Sequence, residues 1–138
     1  MSKVAIVFWS ATGNTETMAN CIAEGAGANG TIVPCAEMTP AKLAEFDVVA
    51  FGCPAMGAEQ LEESEFEPMF AALEGSLNGK KIALFGSYGW GDGQWMRDWE
   101  ERMKAAGAEI VGGEGVICME APDDEAIAAC EKLGSQLI

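Results

Sequence analysis

Five apolar runs alternate with five helical patterns along this chain, and that alternation limits the folds it can adopt. The apolar runs, rich in Val, Ile, Phe or Ala, fall near residues 3–9, 31–36, 47–53, 80–87 and 108–117. The helical patterns fall near residues 14–27, 40–45, 67–77, 94–106 and 123–137. Continuous apolar runs of this length are typical of strands buried on both faces, as in parallel sheets. The sequence therefore predicts an α/β fold, a doubly wound, three-layer, five-stranded parallel sheet with helices on both faces.

The length and composition predict a single domain, residues 1–138, with a core of ordinary size. No run reaches the ~18 to 20 apolar residues that a membrane span needs, and the first residues lack a signal-peptide pattern. The five cysteines are an odd number without paired spacing, which favours a reducing compartment. We therefore expect a cytoplasmic protein without a membrane segment.

The charge is strongly negative, with 8 basic and 22 acidic residues and a net charge of −14. An acidic surface argues against binding nucleic acid, because the phosphates of nucleic acids require basic side chains. The same surface favours encounters with basic partners, although it is also what simple solubility would require. The chain has no histidine, which argues against metal sites and against histidine-based catalysis.

The segment that follows the first apolar run is rich in hydrogen-bond donors. The run at residues 4–9 leads directly into Ser10-Ala11-Thr12-Gly13-Asn14-Thr15, where a helix begins. Unpaired backbone amides and the positive end of the helix dipole favour an anion at such a position. The loop has no lysine, so it is not a Walker A nucleotide site. It predicts a site for one phosphate monoester, with a well-capped helix as the alternative interpretation.

Two more loops, residues 53–59 and 87–93, follow predicted strands at the same edge of the sheet. Doubly wound folds bind their ligands at this edge. Met56 and Trp90 lie beside glycines in these loops, and together they could cover the two faces of a flat ring. Glu59 could accept a hydrogen bond from the ring edge, or it could be a solvated glutamate. Met119, after the last run, could touch the same ligand, but core packing is the favoured interpretation.

Two other patterns are interpreted as structural. Residues 25–30 satisfy G-x-G-x-x-G, but they follow a predicted helix and precede a strand, so we expect a helix end and a turn. The glutamates that crowd the segment after the second loop are expected to form a solvated face. They are Glu59, Glu62, Glu63, Glu65 and Glu67.

The three loops together resemble the flavin-binding loops of flavodoxins. The similar stretches are residues 10–15 after the first strand, residues 53–57 (Cys-Pro-Ala-Met-Gly) and residues 85–91 (Phe-Gly-Ser-Tyr-Gly-Trp-Gly). The resemblance covers essentially the whole chain and is strongest to the short-chain flavodoxins of anaerobic bacteria. It implies the strand order 2-1-3-4-5 and a noncovalently bound flavin mononucleotide (FMN).

The resemblance also implies a function, that of a low-potential one-electron carrier cycling between quinone, semiquinone and hydroquinone states, and not an enzyme. The phosphate would be held by Ser10, Thr12, Asn14 and Thr15, with Ser87 assisting. Met56 and Trp90 would flank the ring, Glu59 would bind its N3–H, and the Gly57–Ala58 peptide would flip on reduction. The implied cofactor-binding residues are Ser10, Ala11, Thr12, Gly13, Asn14, Thr15, Pro54, Ala55, Met56, Gly57, Ala58, Glu59, Ser87, Tyr88, Gly89, Trp90, Gly91, Gly93 and Met119.

The partners implied by charge and resemblance are redox proteins with basic docking surfaces, and a monomer is expected. An FMN-dependent NAD(P)H:quinone reductase on the same fold is the alternative, but no nicotinamide site is evident and basic residues are few. A phosphate-accepting receiver module would need an aspartate near the end of the third strand, where this chain has Cys53 and Pro54.

Overall fold

Parallel strands form the centre of this protein, as its apolar runs predict. The computed structural model describes residues 3–10, 13–56, 61–89 and 91–138. Its strands are β1 (Val4–Phe8), β2 (Gly30–Ile32), β3 (Val48–Gly52), β4 (Lys81–Tyr88), β5 (Glu109–Ile110) and β6 (Val116–Met119). They pair in parallel in the order β2-β1-β3-β4-β5, and β6 also pairs with β4. The predicted fold class and strand order are therefore confirmed.

The last predicted strand, over residues 108–117, is divided into β5 and β6, so the expectation of one continuous strand is wrong. Two residues separate Ile82 from Phe85 on β4, whereas five separate their partners Ile110 and Val116. The extra residues include Gly112 and Gly113, whose φ angles of 83° and 85° lie in the region that favours glycine. A buried carboxylate fixes this insertion, because Glu100 accepts a 2.6 Å hydrogen bond from the Gly115 amide.

The helices cover both faces of the sheet. They are α1 (Asn14–Ala26), α2 (Pro40–Leu43), α3 (Phe66–Leu73), α4 (Gln94–Ala105) and α5 (Asp124–Gln136). Alternate strand residues point to opposite faces. Val7, Phe51 and Leu84 join the core that contains the buried residues of α3 and α4, whereas Ile6 and Phe85 join the core under α1 and α5. These two cores give the three layers. In the described part of the chain, no helix is long and apolar enough to cross a membrane.

The end of α1 explains the pattern at residues 25–30. The helix ends at Ala26, Gly27 has a φ of 63°, and β2 begins at Gly30. The prediction of a helix end and a turn is therefore confirmed. Helices α1 and α5 also approach closely near this point, because a Cβ built on Gly25 would lie 2.0 Å from the carbonyl oxygen of Glu131.

An arginine on α4 connects two carboxylates near α3. The guanidinium of Arg102 makes two 2.7 Å hydrogen bonds to Glu67 and two 2.8 Å hydrogen bonds to Glu74. It also lies 4.9 Å from the ring centroid of Phe70, which belongs to a buried aromatic cluster with Phe66 and Trp99. Paired bidentate geometry of this kind stabilises more than an ordinary surface ion pair.

The change Arg102→Met should lower the free energy of unfolding at neutral pH by about 2 kcal/mol, a value discounted because these side chains are partly exposed. Hydrogen bonds from Arg102 hold the pKa of Glu74 below its usual range, although burial opposes them. The folded pKa thus lies below the unfolded value of about 4.3, so this contribution is present above that pH and is lost as pH falls through the folded pKa.

Urea unfolding at neutral and acidic pH measures the effect of Arg102→Met. The control is Lys104→Met on the same helix, whose only ion pair in the described part of the chain is a 3.8 Å contact with exposed Glu101. Equal unfolding free energies for the two variants at neutral pH would contradict the assigned role of Arg102.

Candidate functional site

The loop before α1 presents a serine hydroxyl and the start of a helix to the carboxyl edge of the sheet. Gly13 precedes the helix with a φ of 94°, and it has no side chain to cap the helix. The Ser10 hydroxyl oxygen accepts the amide hydrogens of Gly13 at 3.1 Å and of Glu16 at 3.4 Å. Both bonds use Ser10 as an acceptor, so its hydroxyl hydrogen stays available to donate.

Two buried hydroxyls connect this helix to β4. Thr15 and Ser87 are 1% and 4% exposed, and their hydroxyl oxygens are 3.2 Å apart. The Ser87 amide also donates to the Thr15 hydroxyl at 3.4 Å. The backbone carbonyl oxygen of Ser87 accepts a hydrogen bond from the Ala55 amide at 3.1 Å. Ser87 therefore joins the segments that follow β1 and β3 at a single point.

A cavity of about 270 Å³ lies between these segments. Its lining comes from the carboxyl-terminal ends of β1, β3 and β4, the beginning of α1 and the residue after β6. The lining residues are Ser10, Asn14, Thr15, Pro54, Ala55, Met56, Ser87, Tyr88, Gly89 and Glu120. All but Glu120 are among the predicted site residues, so the structure brings nine of them together.

The other predicted residues have different positions. Gly91 and Gly93 both have φ angles of 88°, and Gly93 directly precedes α4. Met119 ends β6 and is 58% exposed, so the favoured interpretation as a core residue is wrong. Six predicted residues lie outside the described part of the chain, so their roles stay predictions: Ala11, Thr12, Gly57, Ala58, Glu59 and Trp90.

Glu120 is the lining residue that sequence reasoning missed. Its φ of 57° makes it the only non-glycine residue with a positive φ in the described part of the chain. Its amide donates to the Tyr88 carbonyl at 2.7 Å, and its own carbonyl accepts the Cys118 thiol at 3.6 Å. These bonds hold a carboxylate-bearing residue in a strained conformation at the cavity. Its one sequence signal is its position three residues after the last apolar run.

The acidic segment after the second loop is not uniformly solvated, which corrects the expectation for Glu62. This side chain is 6% exposed, and its carboxylate accepts hydrogen bonds from the amides of Ser64, Glu65 and Phe66 at 2.7 to 2.9 Å. Burial opposes ionisation of Glu62, but the amide bonds outweigh that effect and lower its pKa. Glu67 is paired with Arg102, as described above.

The chemistry of the cavity fits a phosphorylated molecule with an apolar ring. Its polar lining consists of the hydroxyls of Ser10, Thr15 and Ser87, the Asn14 amide and the first turn of α1, all neutral groups suited to one phosphate. Its less polar lining consists of Pro54, Ala55, Met56 and Tyr88. Among the ten described lining residues, Glu120 alone carries charge at neutral pH, so an anionic group would be held by hydrogen bonds and the helix dipole.

Comparison with known proteins identifies relatives that share this architecture over nearly the whole chain. The profile of the Flavodoxin family matches residues 6–133. A flavodoxin of Clostridium beijerinckii is 46% identical over 135 residues, covering 96% of each sequence. A flavodoxin of Megasphaera elsdenii is 46% identical over 134 residues, covering 95% of each. The solution structure of two-electron reduced Megasphaera elsdenii flavodoxin superimposes with a TM-score of 0.84 at 44% identity, covering 97% of both chains.

Proposed function

Because this chain belongs to the flavodoxin family, it is an FMN-binding electron carrier, and we propose that the cavity described above is its FMN site. The observation that carries this proposal is that one cavity is lined both by neutral donors (Ser10, Asn14, Thr15 and Ser87) and by the less polar Pro54, Ala55, Met56 and Tyr88, which we call its donor side and its apolar side. FMN has the matching division between a phosphate and a flat ring.

The donor side of the cavity binds the phosphate. The Ser10 hydroxyl and the Asn14 amide donate to the phosphate oxygens, and so does whichever of the Thr15 and Ser87 hydroxyls does not donate to the other. The beginning of α1 adds backbone amides and a favourable dipole. The Thr15–Ser87 contact supports this assignment, because it fixes the two hydroxyls relative to each other before any ligand arrives and leaves the hydrogen of one of them free to donate. Ala11, Thr12 and Gly13 complete the phosphate loop.

The apolar side binds the ring. Pro54, Ala55, Met56, Tyr88 and Gly89 line this part of the cavity and exclude water from the ring. We assign Met56 and Trp90 to the two faces of the ring. When bound, FMN supplies the reversible transfer of single electrons, while the protein orients it and sets its electrostatic surroundings. The remaining contacts come from the rest of the two ring loops and from the end of β6: Gly57, Ala58, Glu59, Gly91, Gly93 and Met119.

The protein acts as a carrier between redox partner proteins and is not itself an enzyme. The net charge of −14 supports partners with basic docking surfaces, since opposite charges accelerate encounter. The exposed side chain of Met119 and the carboxylate of Glu120 lie near the cavity, where such a partner would approach. We place the protein in the cytoplasm as a monomer that binds neither membranes nor nucleic acid.

The FMN site is tested by titrating apoprotein with FMN and with riboflavin, which lacks the phosphate. FMN should bind one to one, and riboflavin should bind at least about 100-fold more weakly, because several hydrogen bonds to a charged group are absent. Thr15→Val should weaken FMN binding, whereas Thr17→Val should not, because it removes an exposed hydroxyl two residues further along the helix that bonds to the Gly13 carbonyl.

Two results would contradict parts of the proposal. Equal affinity for FMN and riboflavin would show that the donor side does not bind the phosphate. Rapid reduction of the FMN-loaded protein by NAD(P)H alone would show that it is an oxidoreductase.

A further inference from the structure

The two residues that flank the segment after β3, Cys53 and Glu62, are in direct contact. Residues 54–61 run from Cys53 to Glu62, and the Glu62 amide donates to the Cys53 sulfur at 3.3 Å. Both residues are buried, at 0% and 6% exposed. A hydrogen bond between residues nine apart in sequence therefore closes the base of this loop. The part of the loop described by the structure includes Pro54, Ala55 and Met56, which line the cavity.

Hydrogen bonds to β4 and to α4 hold the backbone of Cys53 in place. Its amide donates to the Phe85 carbonyl on β4 at 3.1 Å, and its carbonyl accepts the Trp95 indole N–H of α4 at 3.1 Å. Burial raises the pKa of its thiol to about 12, so the sulfur stays neutral at physiological pH. Cys53 is thus a rigid point of attachment and not a reactive thiol.

Glu62 is fixed by helix α3. Its carboxylate accepts the amide hydrogens of Ser64 and Glu65, just before the helix, and of Phe66, its first residue. Its carbonyl accepts the Glu67 amide at 2.8 Å. Glu65, at the N-cap position, makes no side-chain cap, so Glu62 supplies the cap from outside the helix. Phe66 is fully buried in the aromatic cluster with Phe70 and Trp99, which anchors the helix in turn.

We propose that Cys53 and Glu62 form a clasp that holds the ring-binding loop in its binding conformation, and that Glu62 is a positioning residue for FMN. The inference rests on the proposed function, since the loop between the two residues supplies the apolar side of the cavity. Fixing both ends of a short loop reduces the conformations it samples, and less ordering then remains to oppose ligand binding. The clasp acts on the ring and not on the phosphate, whose donors lie on the loop after β1, on α1 and on β4.

The test compares Glu62→Gln with Glu65→Gln. Both changes remove one negative charge from the same segment, but Glu65 is exposed and its side chain caps nothing. In Glu62→Gln an amide NH₂ must face at least one backbone donor that the carboxylate accepted, so the attachment of Glu62 to α3 is weakened although its own backbone amide can still donate to Cys53. Apoproteins are titrated with riboflavin, which reports ring binding, and with inorganic phosphate, which reports the phosphate loop. FMN binding and the two one-electron potentials are measured alongside.

We expect Glu62→Gln to bind riboflavin and FMN about tenfold more weakly, a loss comparable to one charge-assisted hydrogen bond. Its affinity for phosphate should be unchanged, and the separation between its two potentials should change. Glu65→Gln should keep the flavin affinity of the wild-type protein. If Glu62→Gln fails to fold, Cys53→Ala removes the sulfur acceptor while keeping the helix cap. It should then weaken riboflavin binding more than Cys53→Ser, which keeps an acceptor.

The outcomes separate this inference from the proposed function. Equal losses in Glu62→Gln and Glu65→Gln would show an effect of charge alone and overturn the clasp. Unchanged flavin affinity in Glu62→Gln, or an equal loss of phosphate affinity, would also overturn it while leaving the FMN site intact. Failure of the wild-type protein to bind any flavin would overturn the proposed function and the clasp together.

Discussion

Replacing Gly86 with alanine should lower the free energy of unfolding by about 3 to 4 kcal/mol. A Cβ at this position on β4 would lie 2.3 Å from the Cys53 carbonyl oxygen and 3.2 Å from the Trp95 ring. Neither can retreat easily, because the Cys53 carbonyl and the Trp95 indole are hydrogen-bonded to each other. Gly86 also pairs with Ile117 on β6, so β4 cannot shift away without disturbing the sheet. Urea unfolding of the apoprotein measures the loss.

The matched control is Gly75→Ala. Gly75 is exposed, has a negative φ and has no heavy atom within 4 Å of a built Cβ, so alanine there should be neutral or slightly stabilising. Gly86→Ala should also weaken FMN binding, because the displaced Cys53 carbonyl lies at the base of the ring-binding loop. A loss below about 1 kcal/mol would show that the strand ends absorb a methyl group, contrary to this account.

Replacing Gly134 with alanine should lower the free energy of unfolding by about 3 kcal/mol, although alanine is the better helix former by about 1 kcal/mol. Gly134 is buried in α5, where a Cβ would lie 2.1 Å from the Ile22 carbonyl oxygen and 2.9 Å from the Ala26 amide nitrogen of α1. These are backbone atoms, so the clash is relieved only by separating the two helices. The sign of the effect is therefore opposite to that expected from helix propensity.

The control for Gly134→Ala is Ser135→Ala, one residue along the same helix. Ser135 is exposed, and its hydroxyl only donates back to the Lys132 carbonyl at 2.7 Å. Alanine there should leave the stability unchanged or raise it slightly. Equal unfolding midpoints for the two alanine variants would contradict the tight crossing of α1 and α5.

The sequence predicts the architecture well where hydrophobic pattern and local structure agree. Runs buried on both faces become β1, β3 and β4, and the glycines at residues 25–30 end a helix as their position after a helical pattern indicates. The division of the last strand was missed because residues 108–117 are apolar enough for one strand. The Gly112-Gly113 pair inside this run is itself a turn signal, and its positive φ angles divide the strand.

The candidate site was predictable where chemistry is concentrated in loops at one edge of the sheet. Glu62 was missed because a glutamate in an acidic run looks solvated, and its role as a cap depends on a chain reversal that periodicity does not show. Glu120 was missed because one residue after a strand carries no motif. Met119 was misassigned because an apolar residue at a strand end can face the core or the solvent, and only the neighbouring elements decide which.

The two cores differ in a way that affects how folding can be observed. Trp9, Trp95 and Trp99 all pack in the core with α3 and α4, and the described residues of the core under α1 and α5 include no tryptophan. Apart from the contribution of Trp90, indole emission during refolding will consequently time the assembly of one side of the sheet. Far-ultraviolet ellipticity will also follow α1 and α5, so a lag between the two traces would show that the sides assemble in separate steps.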